Sequence, residues 1–477
     1  MGEHFARTAS APYERDGPAL HRAFPHRRPA PRSAVRTGSP ACAFRFPGRA
    51  GSHCFLHPSI RPGRNTERRA GRPALSWNAD VTIVGAGAAG LSLAAHLAGP
   101  PSGSGFRPSV LMVEAPPGPL RSPDRTWCFW EAGGGPYDHL LEGSWDRLRV
   151  YGPDGTVVDR SLGALRYKML RSGRFEEAMS ERLRTSGIAV RQLTVERVTD
   201  TGDEAVVWGR DVAGVVSGLR SGLVFDSRLP PRLPAARTTL LQHFRGWFVR
   251  TSKPVFDPSA AVLMDFRLPQ PARGLAFGYV LPTSCHEALV EYTEFSPATL
   301  DEVAYQRALS RYCGSILELG EYVVGEQEQG VIPMSDGRLP RRHARRVFPI
   351  GVAGGATRPS TGYTFAAIQR HSLYVARAVR EGRSPARVPA PHALRARTMD
   401  AVLLRALDTG RVDGARFFTQ LFSSVPAERV LRFLDGATSL WEDVGVGMRT
   451  PVVPMLRSLL DLPLVPRSAS ASWPVHR

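Results

Sequence analysis

The sequence predicts an α/β protein with three parts: a Rossmann-like dinucleotide-binding domain, an inserted substrate domain built on a mixed or antiparallel sheet, and a helical C-terminal region. Three observations favour this fold class. An apolar strand at residues 80–84 leads through a glycine-rich turn into a helix of small residues at about 88–98, and a second strand follows at 109–114. Short apolar strands then cluster at about 238–298, and amphipathic helices dominate from about residue 390.

The composition is that of a globular protein with a basic N-terminal segment. The chain has 477 residues, of which 42% are hydrophobic, and a formal net charge of +19. Residues 1–78 hold 14 arginines, four acidic residues and ten prolines, without a sustained helical or strand period. We interpret this segment as a disordered extension or as the product of a misplaced translation start. The next methionine, Met112, already lies inside the predicted fold.

The positive charge does not indicate nucleic-acid binding. Lys168 and Lys253 are the only lysines, so arginine carries nearly all of the charge, as expected from GC-rich coding. Basic patches with interleaved aromatic residues are not evident, and a mildly cationic face toward anionic lipid is the alternative. The sequence has no run of 18 apolar residues and no secretory signal, and its five widely spaced cysteines favour a reducing compartment. We therefore expect a cytoplasmic protein without a zinc site.

The first glycine-rich turn has the GxGxxG spacing of a dinucleotide fingerprint. Gly85 allows a tight turn, Gly87 lets the backbone approach a pyrophosphate, and Gly90 lets helix and strand pack closely. The helix N-terminus attracts the phosphates. Glu114 ends the second strand, where its carboxylate can accept hydrogen bonds from ribose hydroxyls. A lone GxGxxG is weak, but strand, helix, second strand and terminal acid together predict a nucleotide site.

A second glycine-rich segment, GVAGGATRPSTGY at residues 351–363, also lies between an apolar strand and a helix. Its backbone could approach the ribityl chain and the second phosphate of a flavin; an ordinary glycine loop is the alternative. Because an N-terminal fingerprint often pairs with such a downstream segment in FAD proteins, we favour FAD over NAD. The candidate cofactor-binding residues here are Gly351, Gly354, Gly355, Thr361 and Gly362.

Three acidic residues lie in apolar strands of the inserted domain. Alternation places Asp265 on the face opposite Met264 and Phe266, and it places Glu291 and Glu294 on opposite faces of one strand. Most such acids are solvated or paired. An isolated buried carboxyl has a raised pKa, however, and can remain a proton donor at neutral pH.

These segments together resemble the bacterial flavoprotein lycopene cyclases. The resemblance runs from about residue 80 to residue 457 and does not cover residues 1–78. Its ordered motifs are DRTWCFW (124–130), LMDFR (263–267), FGYVLPTS (277–284), ALVEYTEFS (288–296), GGATRPSTGY (354–363) and RFLDG (432–436). It implies a FAD-binding fold at residues 79–385 containing the substrate-binding sheet, and a helical region at 386–477 that completes a substrate tunnel.

The resemblance also implies the chemistry. Lycopene cyclases close the acyclic ends of lycopene by acid catalysis without net oxidation, yet they require reduced FAD, with NADPH as reductant. It implies that Glu291 is the proton donor. Plant relatives have two adjacent acids there, whereas this chain has Glu291 followed by Tyr292, so either Asp265 or Glu294 could supply a second carboxylate. Arg125, in the first motif, is a further candidate cofactor-binding residue.

An apolar substrate implies access from the bilayer, so we expect peripheral membrane association, with the helix near residues 455–462 as a candidate contact. The aromatic side chains of Trp127, Phe129 and Trp130 could stabilise a carbocation, although core packing is the commoner role of aromatic residues. The alternatives are a FAD-dependent monooxygenase or oxidoreductase acting on an apolar isoprenoid, and a non-catalytic carotenoid- or flavin-binding protein. Nucleic-acid binding would rest only on the arginine-rich segment.

Overall fold

The computed structural model describes residues 74–99 and 107–468, and the predictions for residues 1–73 lie outside these ranges. The described strands, in chain order, are β1 (Ala74–Val84), β2 (Val110–Glu114), β3 (Thr126–Ala132), β4 (Leu141–Trp145), β5 (Arg147–Tyr151), β6 (Val157–Ser161), β7 (Leu165–Arg171), β8 (Ala189–Gln192), β9 (Thr194–Asp200), β10 (Ala205–Arg210), β11 (Val216–Asp226), β12 (Thr239–Thr251), β13 (Ala261–Asp265), β14 (Leu275–Pro282), β15 (Glu287–Ser296), β16 (Tyr322–Ser335) and β17 (Val347–Pro349).

The helices concentrate toward the C-terminus, as the sequence predicts. In chain order they are α1 (Ala88–Ala98), α2 (Ser172–Thr185), α3 (Glu302–Arg311), α4 (Phe365–Arg380), α5 (Leu394–Asp408), α6 (Gly414–Ser424), α7 (Ala427–Leu434), α8 (Leu440–Gly447) and α9 (Val452–Asp461). Within the two described ranges, no helix combines the length and the apolar character needed to cross a bilayer.

The N-terminal sheet has the strand order β8-β2-β1-β11-β10-β9, with β17 beside β11. Strand β1 runs parallel to both β2 and β11, and α1 connects β1 to β2. The α/β fold class and the βαβ unit are therefore confirmed. Strand β1 begins at Ala74, five residues before the predicted start of the domain at residue 79.

The central sheet has the strand order β16-β12-β15-β14-β13-β5-β6. The strands predicted at 238–298 form its middle, but the sheet extends beyond that range on both sides. The sequence analysis did not predict strand β16, because its middle reads EQEQG, a polar run without the apolar alternation of a half-buried strand. Strands β5 and β6 join β13 from about 100 residues earlier in the chain, a pairing that no local pattern encodes.

Both faces of the central sheet are covered. We call one face the inner face: its apolar side chains, including Leu289, pack with the C-terminal helices through residues such as Leu404 and Phe418. The outer face, which includes Val290, packs against Tyr305 and Leu309 of α3. This double cover explains why all of β14 and nearly all of β15 are buried. A three-stranded small sheet, β3-β7-β4, completes the strand structure.

Candidate functional site

The first glycine-rich turn has the geometry of a dinucleotide-binding turn. Gly85 has φ +96°, and a side chain there would collide with Ser227 Oγ at 2.1 Å. A Cβ at Gly90 would lie 1.9 Å from the Gly85 carbonyl oxygen, so only glycine allows α1 to pack this closely on the turn. Gly87 caps α1, and a Cβ added there would meet nothing within 4 Å. The backbone at Gly87 is thus open to a ligand, and the helix N-terminus favours an anionic one.

The two other predicted residues of the nucleotide site lie at the ends of neighbouring elements. Glu114 is the last residue of β2, where it accepts a hydrogen bond of 2.9 Å from Arg121. Partial burial raises the pKa of Glu114, and the Arg121 charge opposes that shift. Arg125 is exposed at the start of the first aromatic motif, and its backbone N–H donates to Ser172 Oγ at 3.0 Å.

The second glycine-rich segment links the nucleotide fold to the central sheet. Gly351 lies against α1, since a Cβ there would be 2.7 Å from Ala89 Cβ. At the other end of the segment, Gly362 has φ +73° and abuts β12, since a Cβ there would lie 2.2 Å from Gln242 Oε1. Gln242 lies on the inner face, because β12 alternates and the buried Leu240 belongs to the inner-face cluster.

A buried ion pair fixes this segment to the C-terminal helices. Arg358 Nε donates to Asp400 Oδ1 of α5 at 2.8 Å, and both side chains are 2% exposed. Ser360 Oγ donates to the same oxygen at 2.7 Å. By contrast, Thr361 Oγ1 and Gln242 Oε1 are buried without a hydrogen-bond partner among the residues that the structure describes. Because buried polar atoms are normally paired, these two fit a bound polar group such as a ribityl hydroxyl or a flavin ring atom.

Three tyrosine hydroxyls connect the segment to the inner face. The Tyr167 hydroxyl lies 2.9 Å from the Tyr363 hydroxyl and 2.6 Å from the Tyr279 hydroxyl. Burial raises the pKa of Tyr167 and Tyr279 well above the usual value, so both phenols stay neutral at physiological pH. The ring of Trp130 meets that of Tyr363 edge-on, with centroids 4.6 Å apart.

Glu291 lies beside this tyrosine cluster on the inner face. The strand register places it opposite Tyr279 on one side and opposite Gly246 on the other. The carboxyl is 8% exposed and accepts a hydrogen bond from the Thr293 hydroxyl. Burial, reinforced by the negative charge of Glu328, raises the pKa of Glu291 to about 8, against the smaller opposing effect of Thr293. A carboxyl in this environment stays protonated at neutral pH.

The structure adds one acid that the sequence analysis missed. Glu328 of β16 lies opposite Gly246, so it shares the inner face and the same transverse row with Glu291. It is also 8% exposed, and it accepts a hydrogen bond of 2.8 Å from the Thr126 hydroxyl. In sequence, Glu328 stands in the polar EQEQG run, where nothing distinguishes it from a solvated acid.

The structure does not bring the other two predicted acids to Glu291. Asp265 points to the outer face, where Arg267 binds it at 2.5 Å and the Tyr312 hydroxyl donates to it at 3.0 Å. Glu294 also lies on the outer face and accepts a hydrogen bond of 2.8 Å from Tyr292. The alternation predicted for these strands is present, but both carboxylates are separated from the inner face by the sheet itself.

The aromatic side chains of residues 127–130 are likewise divided between two apolar clusters. Trp127 and Phe129 pack with Phe365 and Phe175 in the core of the nucleotide fold, with the Trp127 and Phe365 rings stacked 5.2 Å apart. Trp130 belongs instead to the inner-face cluster. A cavity of about 10 Å³ is lined by Cys128, Trp130 and Tyr363 together with Leu434 and Asp435. A larger cavity of about 130 Å³ lies beside Gly354 and Gly355, and Glu291 does not line it.

Solved structures share this architecture at low sequence identity. A geranylgeranyl bacteriochlorophyll reductase-like protein from Thermoplasma acidophilum is 13% identical, with a TM-score of 0.54, covering 81% of this chain and 99% of that chain. A flavoprotein/dehydrogenase from Cytophaga hutchinsonii is 14% identical, with a TM-score of 0.54 and coverages of 80% and 99%. The p-nitrophenol 4-monooxygenase PnpA from Pseudomonas putida DLL-E4 is 16% identical, with a TM-score of 0.51 and coverages of 82% and 99%.

The fold and the glycine-rich turn are therefore those of the dinucleotide-binding α/β class. The model of the lycopene cyclase protein family matches residues 80–460, and the chain belongs to that family. A search of curated protein sequences found no significant match. The family suspected from the sequence motifs is thus confirmed.

The two glycines of the first turn predict different defects. Gly90→Ala should lower the free energy of unfolding by roughly 2–4 kcal/mol, because the added methyl collides with backbone that cannot move independently. Gly87→Ala should leave stability nearly unchanged and weaken dinucleotide binding, because its methyl points into open space where a pyrophosphate would lie. Urea denaturation of the cofactor-free protein and cofactor titration separate the two effects. Equal losses of stability in both variants would contradict this division.

Glu291→Gln should change how stability depends on pH. Burial raises the pKa of this carboxyl to about 8 in the folded protein, from an ordinary value of 4.5. Between these values the folded state holds a proton that the unfolded state has lost, so wild-type stability falls as pH rises. The Gln variant lacks this linkage and should be roughly 2–4 kcal/mol more stable relative to wild type at pH 8 than at pH 4.5. Urea denaturation across this range measures the slope. Glu287→Gln, at the accessible start of the same strand, should follow wild type; parallel slopes for all three proteins would count against a protonated Glu291.

Proposed function

We propose that this protein is a lycopene β-cyclase that converts the acyclic ends of lycopene into β-ionone rings, with FAD as its cofactor. The observation that carries the proposal is the buried Glu291 carboxyl, which lies on the same sheet face that the second glycine-rich segment abuts through Gly362 and Gln242. A proton donor beside a cofactor segment in an apolar cluster suits acid chemistry on a hydrocarbon, which offers nothing to hydrogen-bond.

The proposed reaction involves no net oxidation or reduction. A proton from Glu291 adds to the terminal double bond and leaves a tertiary cation. The electron pair of a second double bond then forms the carbon–carbon bond that closes the six-membered ring. Return of a proton from the ring carbon to the Glu291 carboxylate places the ring double bond and restores the acid. Bound in its reduced form, FAD would supply negative charge that stabilises the cation; we propose NADPH as the reductant.

The inner-face side chains around Glu291 have defined parts in this reaction. The Thr293 hydroxyl orients the carboxyl of Glu291. The rings of Trp130, Tyr279 and Tyr363 present aromatic faces to a developing cation, an attraction of about 0.5–2 kcal/mol for each ring. The packed cluster excludes water that would otherwise capture the cation. Because the cavity beside Trp130 and Tyr363 measures only about 10 Å³, the side chains there must move apart to admit a polyene.

Along the chain, the residues of the candidate nucleotide site occur in the same order as the parts of FAD that they would hold. The glycine turn at Gly85 and Gly87, with Glu114 and Arg125, would hold the ADP half. Residues 351–362 would hold the second phosphate, the ribityl chain and the flavin ring. The unpartnered Thr361 Oγ1 lies in that segment, and the segment leads into the N-terminus of α4, whose dipole favours an anionic group.

We also propose that the protein attaches peripherally to a membrane, from which lycopene enters. Helices α8 and α9 carry an unusually apolar surface, which we call the C-terminal apolar face. Its exposed large side chains are Leu440, Trp441, Val444, Met448, Val452, Val453, Leu456, Leu459, Leu460 and Leu464. A patch of this extent on a described surface fits a membrane or protein contact better than free solvent.

Charge favours lipid as the occupant of the C-terminal apolar face. Arg449 and Arg457 are exposed on it, whereas each acid of the segment is paired: Glu442 with Arg432, Asp443 with Arg395 and Asp461 with Arg411. Cationic side chains around an apolar surface suit an anionic bilayer. Beneath this face, Val446 and Met455 pack into the same apolar cluster that contains Trp130 and Tyr279.

Pigment analysis tests the activity. Wild-type protein expressed in lycopene-accumulating bacteria should produce ringed carotenoids, and Glu291→Gln should bind FAD while losing ring formation by at least 100-fold, because it has no transferable proton. Glu287→Gln is the matched control and should behave as wild type.

The same assay, repeated with purified protein, measures NADPH consumed per product. We expect far less than one NADPH per ring. An oxygenated product with stoichiometric NADPH loss would instead identify a monooxygenase acting on an apolar isoprenoid. Normal ring formation by Glu291→Gln would refute the assignment of the proton donor.

Vesicle sedimentation tests the membrane surface. Trp441→Ser combined with Leu464→Ser removes the two most exposed side chains of the C-terminal apolar face, each 81% exposed. Binding to phosphatidylglycerol vesicles should weaken by about tenfold or more, given roughly 1.5–3 kcal/mol for each large apolar side chain that is fully buried. The matched control is Val212→Ser with Val215→Ser, two exposed apolar residues in the turn between β10 and β11. Equal losses in both double variants would reject α8 and α9 as the contact.

A further inference from the structure

A second carboxyl lies in the same transverse row of the central sheet as Glu291. Gly246 lies between Glu291 and Glu328 in the transverse row formed by β15, β12 and β16. A Cβ added at Gly246 would lie 3.3 Å from Glu328 Cγ and 3.7 Å from Glu291 Cβ. The atom nearest to such a Cβ is Leu289 Cδ1, at 2.9 Å, so a side chain at this position would crowd Leu289 and both acids.

The two carboxyls have unequal surroundings. Glu328 accepts the hydrogen bond of Thr126, and the Arg171 guanidinium lies 3.7 Å from its Oε2. The Arg125 charge also acts on Glu328, and together these groups oppose the rise that burial causes in its pKa. Glu291 has the Thr293 hydroxyl and no cation among its partners. When two nearby carboxyls differ in this way, the one with cationic partners loses its proton more readily than the other.

The other groups that face Glu291 are neutral. They are the phenol of Tyr279 on β14, the thiol of Cys128 on β3, and the phenol of Tyr363 in the glycine-rich segment, with Tyr167 of β7 hydrogen-bonded behind them. Burial raises the pKa of Cys128 to about 12, so this thiol carries no charge at physiological pH. Glu328 is therefore the anion that acts on the Glu291 carboxyl.

We propose that Glu328 is a positioning residue that acts through Glu291: held ionised by Thr126 and Arg171, it keeps the proton on Glu291 until a substrate takes it. Gly246 is part of this arrangement, because a side chain there would crowd both acidic residues. The role rests on the proposed function of Glu291 as proton donor. The titration of Glu291, however, can be measured without any turnover.

The test is an infrared pH titration of the FAD-loaded protein. The carbonyl stretch of a protonated carboxyl reports Glu291, and its loss in Glu291→Gln assigns the band. In Glu328→Gln the midpoint of this band should move to lower pH by about one unit, as expected when a unit negative charge several ångströms away is removed. Glu328→Asp keeps the charge and should move the midpoint by less than half as much. Glu328→Leu, which fills the space without charge, should reproduce the shift if the Gln variant folds poorly.

A matched control lies on the same strand. Glu326 also pairs with Arg171, at 2.6 Å, but its side chain is largely exposed, so Glu326→Gln should leave the Glu291 midpoint unchanged. A shift in Glu328→Gln no larger than in Glu326→Gln, or a shift to higher pH, overturns the proposal.

Ring formation provides the second readout. If the chain is a cyclase, the alkaline limb of its pH profile should move with the infrared midpoint in Glu328→Gln. A uniform loss of rate at every pH would mark a merely structural role and overturn the proposal. Failure of the wild-type chain to form rings would reject the proposed function, while the infrared titration would still decide the relation between Glu328 and Glu291.

Discussion

The exclusion of water from the Glu291 carboxyl is the constraint on which the rest of the site depends. A carboxyl loses its proton readily when it is hydrated, and it keeps the proton when the ionised form cannot be solvated. Here the dryness comes from a sheet covered on both faces, with the C-terminal helices on the inner face and α3 on the outer face. The middle strands of the central sheet are buried along most of their length, and the Thr293 hydroxyl, which donates to Glu291, is on the same strand.

This arrangement also explains how a nucleotide fold and a separate sheet form one site. The second glycine-rich segment contacts α1 at Gly351 and β12 at Gly362, so the two ends of one segment touch the two parts. The Arg358–Asp400 ion pair adds the C-terminal helices to the same junction. A pair this deeply buried contributes little net stability. Its effect is geometric, since each partner would be left as an unpaired buried charge if the helices moved away.

The sequence could predict those parts of the site that depend on local pattern. The turn at Gly85, the acid at Glu114 and the opposite faces of Glu291 and Glu294 all follow from spacing within one or two elements. Which face carries the site could not be predicted, because that depends on what covers each face. Asp265 is placed on the outer face by a pairing with β14, and Glu328 joins Glu291 only through its register with β12. Such long-range pairings leave no local signature, least of all in the polar run around Glu328.

The proposed chemistry makes two opposing demands on Glu291, which must keep its proton in the free protein and give it up to the substrate. The dryness that keeps Glu291 protonated also makes it a weak acid, whereas an alkene is a poor base. The free energy that drives proton transfer must therefore come from stabilisation of its two products, the carboxylate and the carbocation. Once Glu291 has lost its proton, it is an anion beside a carbocation in a medium of low dielectric, where opposite charges attract far more strongly than in water. Glu328 and the faces of Trp130, Tyr279 and Tyr363 add to that attraction. A buried acid is thus suited to this reaction. The Glu291 carboxylate has no cationic partner among the described residues before the reaction, and the carbocation formed by proton transfer becomes its counter-ion.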